Sequence, residues 1–367
     1  MNKNYIILFF FAFLLSACGS NADYRIEGKL KNLENPLIYI IYEGSGDKLI
    51  DSVSCITPGE FIVELNKENI NTATLFFEDR EISIVLYPEP KQKVTISGDM
   101  KYPSLLQIKG GRINDKLNDF RKSISETLKE ETDITNTLLR GGEIESTATD
   151  TRLVSELTNL RYDIEEAALN YICNNPKEKA SVVLIERFFT DPYDTRKLDE
   201  MLAVLDPELS SFFLAKDLRD YSSRAKRTTL GATAPPFSVK DIHGKQVSLD
   251  SLSSDYKLLT FTAPWCEMCR IEVLNLDQIV KQYDKKNIDI LLISLDDNPG
   301  EVRNLLKEDS IRWNLVTDSA NQAIMLLDLY NVSALPYCLV IDQEGKIILK
   351  TNNGEEIRQT LGSLIKE

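Results

Sequence analysis

The feature that most restricts the fold of this chain is a pair of cysteines placed just after an apolar run. Leu258–Thr262 has the composition of a buried strand, and Trp265-Cys266-Glu267-Met268-Cys269 follows it closely. Apolar residues then recur three or four apart, so a helix is predicted over Cys266–Tyr283. The two cysteines therefore stand where a strand gives way to a helix, and their sulfurs can reach bonding distance across the first helical turn.

That position favours redox chemistry at the cysteine pair. Cys266 would lie at the helix N-terminus, where the macrodipole and the free backbone N–H groups favour a thiolate. A thiolate attacks a substrate disulfide, and the second thiol, Cys269, resolves the mixed disulfide. A structural disulfide is the alternative. A zinc site would need four ligands, which the single histidine, His243, and the scattered other cysteines do not supply.

Three stretches around the pair resemble the TlpA/ResA-like thiol-disulfide oxidoreductases of the thioredoxin superfamily. They are Ala234–Asp241, Gly244–Leu249 and Leu259–Cys266. Leu335-Pro336 falls where that superfamily carries its cis-proline. The resemblance covers the chain from Leu230 to its C-terminus and implies an α/β thioredoxin-like domain, the activity of a thiol-disulfide oxidoreductase and no cofactor or metal.

The resemblance also implies roles for individual residues. Cys266 is expected to be the exposed attacking cysteine and Cys269 the buried resolving one of a redox-active disulfide. Pro336, without an N–H and in a cis bond, would lie against the disulfide and leave room for an extended substrate. Glu272 matches an acidic residue that influences the proton affinity of the cysteines, although a solvated helix glutamate is an equal alternative. The expected substrate-contacting residues beside the disulfide are Trp265 and Leu335.

Two residues between the cysteines depart from the family pattern. Met268 stands where the family usually has proline, so the redox potential is not transferable from relatives. Glu267 places a negative charge beside Cys266, which disfavours the thiolate. Strong oxidants depend on a very stable thiolate, so these residues indicate a reductant or an exchanger of intermediate potential.

The N-terminus has the pattern of an exported, lipid-anchored protein. Lys3 precedes the apolar run Tyr5–Leu15, which is shorter than the roughly 18 residues of a spanning helix. Leu15-Ser16-Ala17-Cys18 resembles the lipobox of bacterial lipoproteins, in which the cysteine is acylated. The prediction is a signal peptide over 1–17, a lipidated Cys18 and a tether over 18–23. Ordinary secretion with Cys18 as a bystander is the alternative.

Residues 24–110 are predicted to form a small antiparallel β domain. Apolar and polar residues alternate as in half-buried strands. The predicted strands are Tyr24–Leu30, Leu37–Tyr42, Lys48–Val53, Glu60–Leu65, Thr72–Phe77, Ile82–Leu86 and Lys93–Ser97. This region resembles the DUF4369 family, a domain of unknown function, and Gly110-Gly111-Arg112-Ile113-Asn114-Asp115 at its end supports the resemblance.

Residues 111–229 are predicted to be a helical region with a linker, and residues 230–367 an α/β domain. Apolar spacing predicts helices near 113–128, 153–168, 181–189, 196–205 and 208–221, and the polar segment 222–229 is predicted to be the linker. In the last domain, strands are predicted at Leu258–Thr262, Ile288–Leu295, Leu315–Thr317, Tyr337–Ile341 and Lys346–Lys350. Helices are predicted at Cys266–Tyr283, Glu301–Lys307, Asn321–Tyr330 and Glu355–Ile365, and a hairpin turn at Gln343-Glu344-Gly345.

Charge and histidine content exclude several functions. The net charge of −14 argues against nucleic acid as a partner, because phosphate binding requires the opposite sign. One histidine leaves little room for Ser/His/Asp catalysis or paired haem ligands. Of the remaining cysteines, Cys55, Cys173 and Cys338, an odd number means that at least one is free or pairs between molecules.

The expected function is an oxidoreductase anchored in the bacterial envelope, facing the periplasm and exchanging disulfides with protein substrates. Its partners would be protein thiols and disulfides and an electron-donor protein, as in cytochrome c maturation. One alternative is a binding or scaffolding lipoprotein with a secondary redox role. A peroxiredoxin-like peroxidase is the other, but it needs a Thr or Ser and a Pro where this chain has Ala263 and Leu259.

Overall fold

The computed structural model describes residues 22–44, 48–67, 69–140, 148–191, 194–269, 279, 287–296, 298, 300 and 314–365. The chain divides into two compact units, Met1–Ala167 and Ala168–Glu367. No helix among the described residues is long and apolar enough to cross a membrane.

The described part of the first unit contains two four-stranded sheets. In the first sheet, the strand order is β4-β1-β7-β8, and in the second it is β3-β2-β5-β6. The strands are β1 (Tyr24–Lys31), β2 (Leu37–Gly44), β3 (Lys48–Ser54), β4 (Glu60–Leu65), β5 (Ile70–Phe77), β6 (Ile82–Leu86), β7 (Lys93–Asp99) and β8 (Gln107–Lys109). All seven predicted strands are confirmed. The additional strand, β8, has only three residues, too few for a recognisable alternation.

The expectation of a purely antiparallel domain is wrong at one pair of strands. β1 and β7 run parallel, with Ile26 opposite Val94 and Gly28 opposite Ile96. The long stretch of chain between them contributes to both sheets and returns β7 in the direction of β1. One apolar core takes side chains from both sheets, among them Ile26, Ile40 and Leu75, each at most 1% exposed.

The glycine pair after β8 joins the sheet to the first helix, α1 (Arg112–Ser123). Gly110 has φ +103°, and a Cβ there would lie 2.0 Å from the carbonyl oxygen of Lys93. The buried Asn114 side chain accepts from the Tyr87 N–H at 3.0 Å and donates to the carbonyls of Tyr87 at 2.9 Å and Gly110 at 2.7 Å. The Gly-Gly-Arg-Ile-Asn motif therefore connects β8 to α1, through the conformation of its first glycine and the hydrogen bonds of its asparagine.

Two further helices are α2 (Ser125–Arg140) and α3 (Ala148–Asn174). The single helix predicted near 113–128 is divided at Ile124, where φ −119° and ψ 25° leave the helical region. α3 extends beyond both ends of the helix predicted near 153–168. Residues 141–147, between α2 and α3, lie outside the described residues.

The second unit begins within α3 and continues through α4 (Lys179–Phe189), α5 (Arg196–Val204) and α6 (Phe213–Lys226). The linker predicted over 222–229 is wrong, because α6 runs through most of it. Ser222 is 2% exposed and donates to Asp199 Oδ1 at 2.5 Å, and Thr228 is fully buried. Hydroxyl side chains are buried at little cost when they have partners, so polarity alone does not mark a linker.

The α/β domain contains a five-stranded sheet in the order β13-β12-β11-β14-β15. β11 (Tyr256–Thr262), β12 (Ile288–Ser294) and β13 (Asn314–Val316) are parallel, whereas β14 (Tyr337–Ile341) and β15 (Ile347–Thr351) are antiparallel to their neighbours. A short hairpin, β9 (Ser238–Lys240) and β10 (Gln246–Ser248), precedes the sheet. The five strands predicted for the sheet are confirmed.

Two helices of this domain are described, α7 (Gln322–Leu329) and α8 (Gly354–Leu364), and both confirm predictions. Residues of the predicted helices Cys266–Tyr283 and Glu301–Lys307 lie largely or wholly outside the described part. The predicted hairpin turn is confirmed, because Gly345 has φ +75° and Asp342 Oδ1 accepts from the N–H groups of Glu344 and Lys346.

The two faces of the sheet carry separate apolar cores. One includes Phe261, Leu326 and Tyr330, and the other includes Leu258, Ile279 and Ile357. The chain entering the domain also joins the sheet, since the Gly231 N–H donates to the Ile347 carbonyl at 2.7 Å and the Ile347 N–H donates to Ala232 at 2.9 Å. The edge strand β15 is thereby covered.

Candidate functional site

Cys266 and Cys269 form a disulfide, with the Sγ atoms 2.13 Å apart and the Cα atoms 5.2 Å apart. β11 ends at Thr262, and helix begins at Glu267, immediately after Cys266. The pair therefore lies at the carboxyl end of a central strand and in the first turn of the helix, where the sequence places it.

The two sulfurs have unequal surroundings. Cys266 is partly exposed, whereas Cys269 is 0% exposed. The Cys269 N–H points at Cys266 Sγ, 3.2 Å away. A backbone donor at the start of a helix stabilises negative charge, so a Cys266 thiolate formed on reduction would have both access to a substrate and an N–H to stabilise it.

The Leu335–Pro336 peptide bond is cis, as expected. Pro336 is buried and Leu335 is half-buried, and β14 begins at the next residue. Tyr337 of β14 is opposite Phe261 of β11. Since β11 leads into the cysteine pair, this register brings Pro336 to the end of the sheet at which the disulfide lies.

Two large apolar side chains beside the disulfide face solvent. Trp265 is 69% exposed and Met268 is 63% exposed. A cluster of exposed apolar side chains is typical of a surface that contacts another molecule. The sequence predicts such a contact for Trp265 but not for Met268, although an apolar residue in the dipeptide between the two cysteines is itself a signal.

The strands that lead to the disulfide carry buried hydroxyls. Thr260 Oγ1 lies 3.4 Å from Cys338 Sγ, and the two residues are opposite each other on β11 and β14. Thr262 and Ser294 are register partners on β11 and β12, and both are buried. No aspartate or glutamate is buried among the described residues. Glu272, the predicted carboxylate, lies outside them, as does Cys18.

The remaining candidates do not join the site. His243 lies in the turn between β9 and β10, where its N–H donates to Asp241 Oδ1 at 2.9 Å. The described residues contain no group of three His, Cys, Asp or Glu side chains able to hold a metal. Cys55 belongs to the first unit, Cys173 is exposed on α3 and Cys338 is buried.

Two parts of the chain match families of known proteins. Residues 230–350 match the AhpC/TSA family, and residues 24–117 match the Domain of unknown function DUF4369. A thiol-disulfide oxidoreductase ResA of Bacillus cereus is 26% identical over 147 residues, which are 40% of this chain and 83% of that protein. The ResA of Bacillus subtilis is 30% identical over 118 residues, 32% of this chain and 64% of that protein.

Among solved structures, the chain is similar to the thioredoxin domain of a thiol-disulfide oxidoreductase from Bacteroides vulgatus. The identity is 26%, the match covers 38% of this chain and 99% of that chain, and the TM-score is 0.35.

Proposed function

Since this chain is a ResA/TlpA-like thiol-disulfide oxidoreductase with an N-terminal DUF4369 domain, we propose that it exchanges disulfides with protein substrates through Cys266 and Cys269. The observation that carries the proposal is the unequal exposure of two bonded sulfurs at the start of a helix. One sulfur is accessible to a partner and the other is accessible only to its neighbour.

In the reducing direction, the Cys266 thiolate attacks one sulfur of a substrate disulfide. A bond forms between Cys266 Sγ and that sulfur, the substrate S–S bond breaks, and the leaving thiolate takes up a proton. Cys269 then loses its proton and attacks Cys266 Sγ, which forms the intramolecular disulfide and releases the second substrate thiol. Two electrons pass to the substrate, and a thiol donor of another protein must reduce the pair again.

The residues around the pair have proposed roles in substrate binding. Pro336 has no N–H to compete with the substrate and presents a fixed ring. Trp265 and Leu335 would contact the substrate chain on either side of the disulfide. Trp265 is 69% exposed, which leaves it free to do so.

The direction of electron flow is part of the proposal. Glu267 is exposed and directly follows Cys266, so its charge disfavours the thiolate form that a strong oxidant requires. We therefore place the protein among reductants or exchangers of intermediate potential. From its spacing, Glu272 is proposed to tune the protonation of Cys269.

We also propose that the protein is lipid-anchored at Cys18 in the bacterial envelope and faces the periplasm. The support is the sequence Leu15-Ser16-Ala17-Cys18 after an apolar run. Several acyl chains on one residue give stable anchoring. Mass spectrometry of the native N-terminus tests this, and an unmodified residue there or cleavage elsewhere would contradict it.

Reduction of insulin by the full chain tests the central proposal. Cys266→Ser should abolish exchange, and Cys269→Ser should trap a mixed disulfide on Cys266. Cys173→Ser is the matched control, because it removes an exposed free thiol. Exchange that persists in Cys266→Ser would refute the proposal. Survival of cellular function after loss of both cysteines would favour the scaffold, and peroxide consumption would favour a peroxidase.

A further inference from the structure

The second sheet of the first unit has apolar side chains on both of its faces. In β2, the side chains of Ile38, Ile40 and Tyr42 point into the core. Side chains alternate along a strand, so Tyr39 and Ile41 point to the outer face of the sheet. Both are half-buried and neither belongs to that core. The outer face therefore carries large apolar groups where a sheet facing water usually carries polar ones.

The register of the strands extends this apolar surface across the sheet. Ile41 lies opposite Ile50 of the edge strand β3 and also opposite Thr74 of β5. Thr74 in turn lies opposite Val85 of the other edge strand, β6. Ile50 is 72% exposed and Val85 is 44% exposed. One row of residues thus crosses all four strands, with an exposed apolar side chain at each end.

An aromatic pair forms the next row. Tyr39 lies opposite Phe76 of β5, which is half-buried. The Arg80 guanidinium lies over the Tyr39 ring, 4.7 Å from its centroid. A tyrosine and a long cationic side chain at the border of an apolar surface are typical of the level of lipid headgroups. We call the following residues the apolar face: Tyr39, Ile41, Ile50, Phe76 and Val85.

The outer face of the first sheet is charged instead. Arg25 of β1 forms ion pairs with Glu27, at 2.7 Å, and with Glu64 of β4. On the second sheet, the ion pair of Lys48 with Glu43 lies where β3 begins and β2 ends, beyond the apolar face. The two outer faces therefore differ in polarity, and an apolar surface of this kind is typical of contact with a protein or a membrane.

The proposed lipid anchor favours the membrane. Residues 18–23 can span at most about 20 Å when fully extended, so lipid on Cys18 would keep the β domain close to the bilayer. The domain begins at Tyr24, whose hydroxyl accepts from the Ile70 N–H at 3.1 Å. Ile70 lies opposite Gly44 at the end of β2. The tether thus enters the domain close to one end of the second sheet, which carries the apolar face.

We propose that the apolar face lies on the surface of the bilayer that holds the acyl chains of Cys18. This inference rests on the lipid anchor of the proposed function. Apolar side chains gain free energy when they enter the boundary between headgroups and acyl chains. A short tether gives the membrane a high effective concentration at this face, which a partner free in solution does not have.

The test measures the distance of each outer face from lipid. The acylated mature chain is reconstituted into vesicles of phosphatidylethanolamine and phosphatidylglycerol, part of them with brominated acyl chains. Val85→Trp places an indole on the apolar face. Ile62→Trp is the matched control, because Ile62 is 40% exposed on the outer face of the first sheet. After subtraction of the wild-type signal, bromine should quench Val85→Trp at least about threefold more than Ile62→Trp.

Ile50→Trp gives a second position on the apolar face and should be quenched like Val85→Trp. Equal quenching of the variants on the two outer faces would overturn the inference. So would an indole at Val85 that is shielded from aqueous acrylamide but not quenched by bromine, because a second copy or another protein would then cover the face.

Failure of the proposed anchor has a different signature. Mass spectrometry of the purified chain would show an unmodified Cys18, which would remove the basis of the inference together with the anchor. An acylated Cys18 with equal quenching on both faces would refute the inference alone. Insulin reduction should stay within about twofold of wild type in all three variants, because surface substitutions away from the site change little.

Discussion

At the scale of single residues, the two sulfurs of the Cys266–Cys269 pair differ in their access to solvent. Cys266 is partly exposed, whereas Cys269 and Cys338 are both 0% exposed. Reactivity of a thiol towards a reagent in solution requires both a thiolate and a path to it. The same difference would make Cys266 the nucleophile in the proposed exchange.

Alkylation after mild reduction should follow that order. Cys266 is expected to react with iodoacetamide at least about tenfold faster than Cys269 or Cys338 at neutral pH. Exposed Cys173 is the internal control for an accessible thiol. Rates are followed by peptide mapping. Modification of Cys269 at the rate of Cys266 would contradict the proposed division of roles.

Lys350 is a second residue whose environment is unusual. It lies on β15, is only 9% exposed, and burial lowers its pKa, against the opposing charges of Asp191 and Asp194. A lowered pKa in the folded state means that folding is opposed while the lysine is protonated. That opposition is complete below the folded pKa and disappears as the pH rises to the unfolded value of about 10.5.

Lys350→Met should therefore raise the melting temperature at pH 7, by about 2–5 °C. The gain should shrink as the pH approaches about 10.5, because wild-type Lys350 then loses its proton in both states. Exposed Lys216 provides the control Lys216→Met. Scanning calorimetry across this pH range gives the measurement. A lower melting temperature in Lys350→Met at pH 7 would show that its charge is net stabilising.

At the level of elements, the joint between β8 and α1 is made by hydrogen bonds of two side chains, Asn114 and Asp115. Asn114, 2% exposed, satisfies the N–H and the carbonyl of Tyr87 and also the Gly110 carbonyl. Gly110 N–H donates to Asp115 Oδ1 at 2.9 Å. The start of α1 is thus held by hydrogen bonds, in addition to the burial of Leu117 and Phe120 further along the helix.

Asn114→Ala should lower the free energy of unfolding of the first unit by about 2–4 kcal/mol, because buried backbone groups lose their partners. Asp119→Ala, an exposed position on the same helix, is the control and should change the stability by less than about 0.5 kcal/mol. Urea denaturation followed by circular dichroism gives both values. Equal stabilities of the two variants would mean that water replaces Asn114 without cost.

On the scale of the whole molecule, the compact unit that contains the Cys266–Cys269 disulfide begins at Ala168, before the boundary at Leu230 that the family resemblance indicates. The difference consists of the end of α3 and helices α4 to α6. The buried Thr228 hydroxyl, just after α6, donates to the Tyr330 carbonyl of the α/β domain. A family match covers only the segment that relatives share. A compact unit also includes every segment that packs against that shared part.

Two excised pieces distinguish these boundaries. Residues 230–367 should fold and reduce insulin, since the sheet and the cysteine pair are complete. Residues 168–367 should melt at a temperature higher by about 5 °C or more, because they keep the buried contacts of α6. Identical melting temperatures would make the helices independent of the α/β domain.

The local pattern of the sequence was enough to predict the strands of the three larger sheets except β8, the order of the regions and the cysteine pair, but not the short hairpin of β9 and β10. Alternation and helical spacing depend on which face of an element is buried, and such patterns are visible along the chain. The pair Cys266 and Cys269 was predictable from a short motif and its place after a strand, whereas the cis bond at Pro336 was expected only from the family resemblance. The exposure of Met268 was not predictable, because periodicity assigns large apolar residues to a core.

Only the tertiary structure decided which elements are partners. Alternation specifies a face but not a neighbour, so it could not show that β1 and β7 run parallel. Thr228 is buried against Tyr330, and Lys350 is buried near Asp191 and Asp194; each of these partners is about 100 or more positions away in the chain. Polar side chains are exposed or buried according to the partners that folding brings to them, and those partners are distant in the sequence.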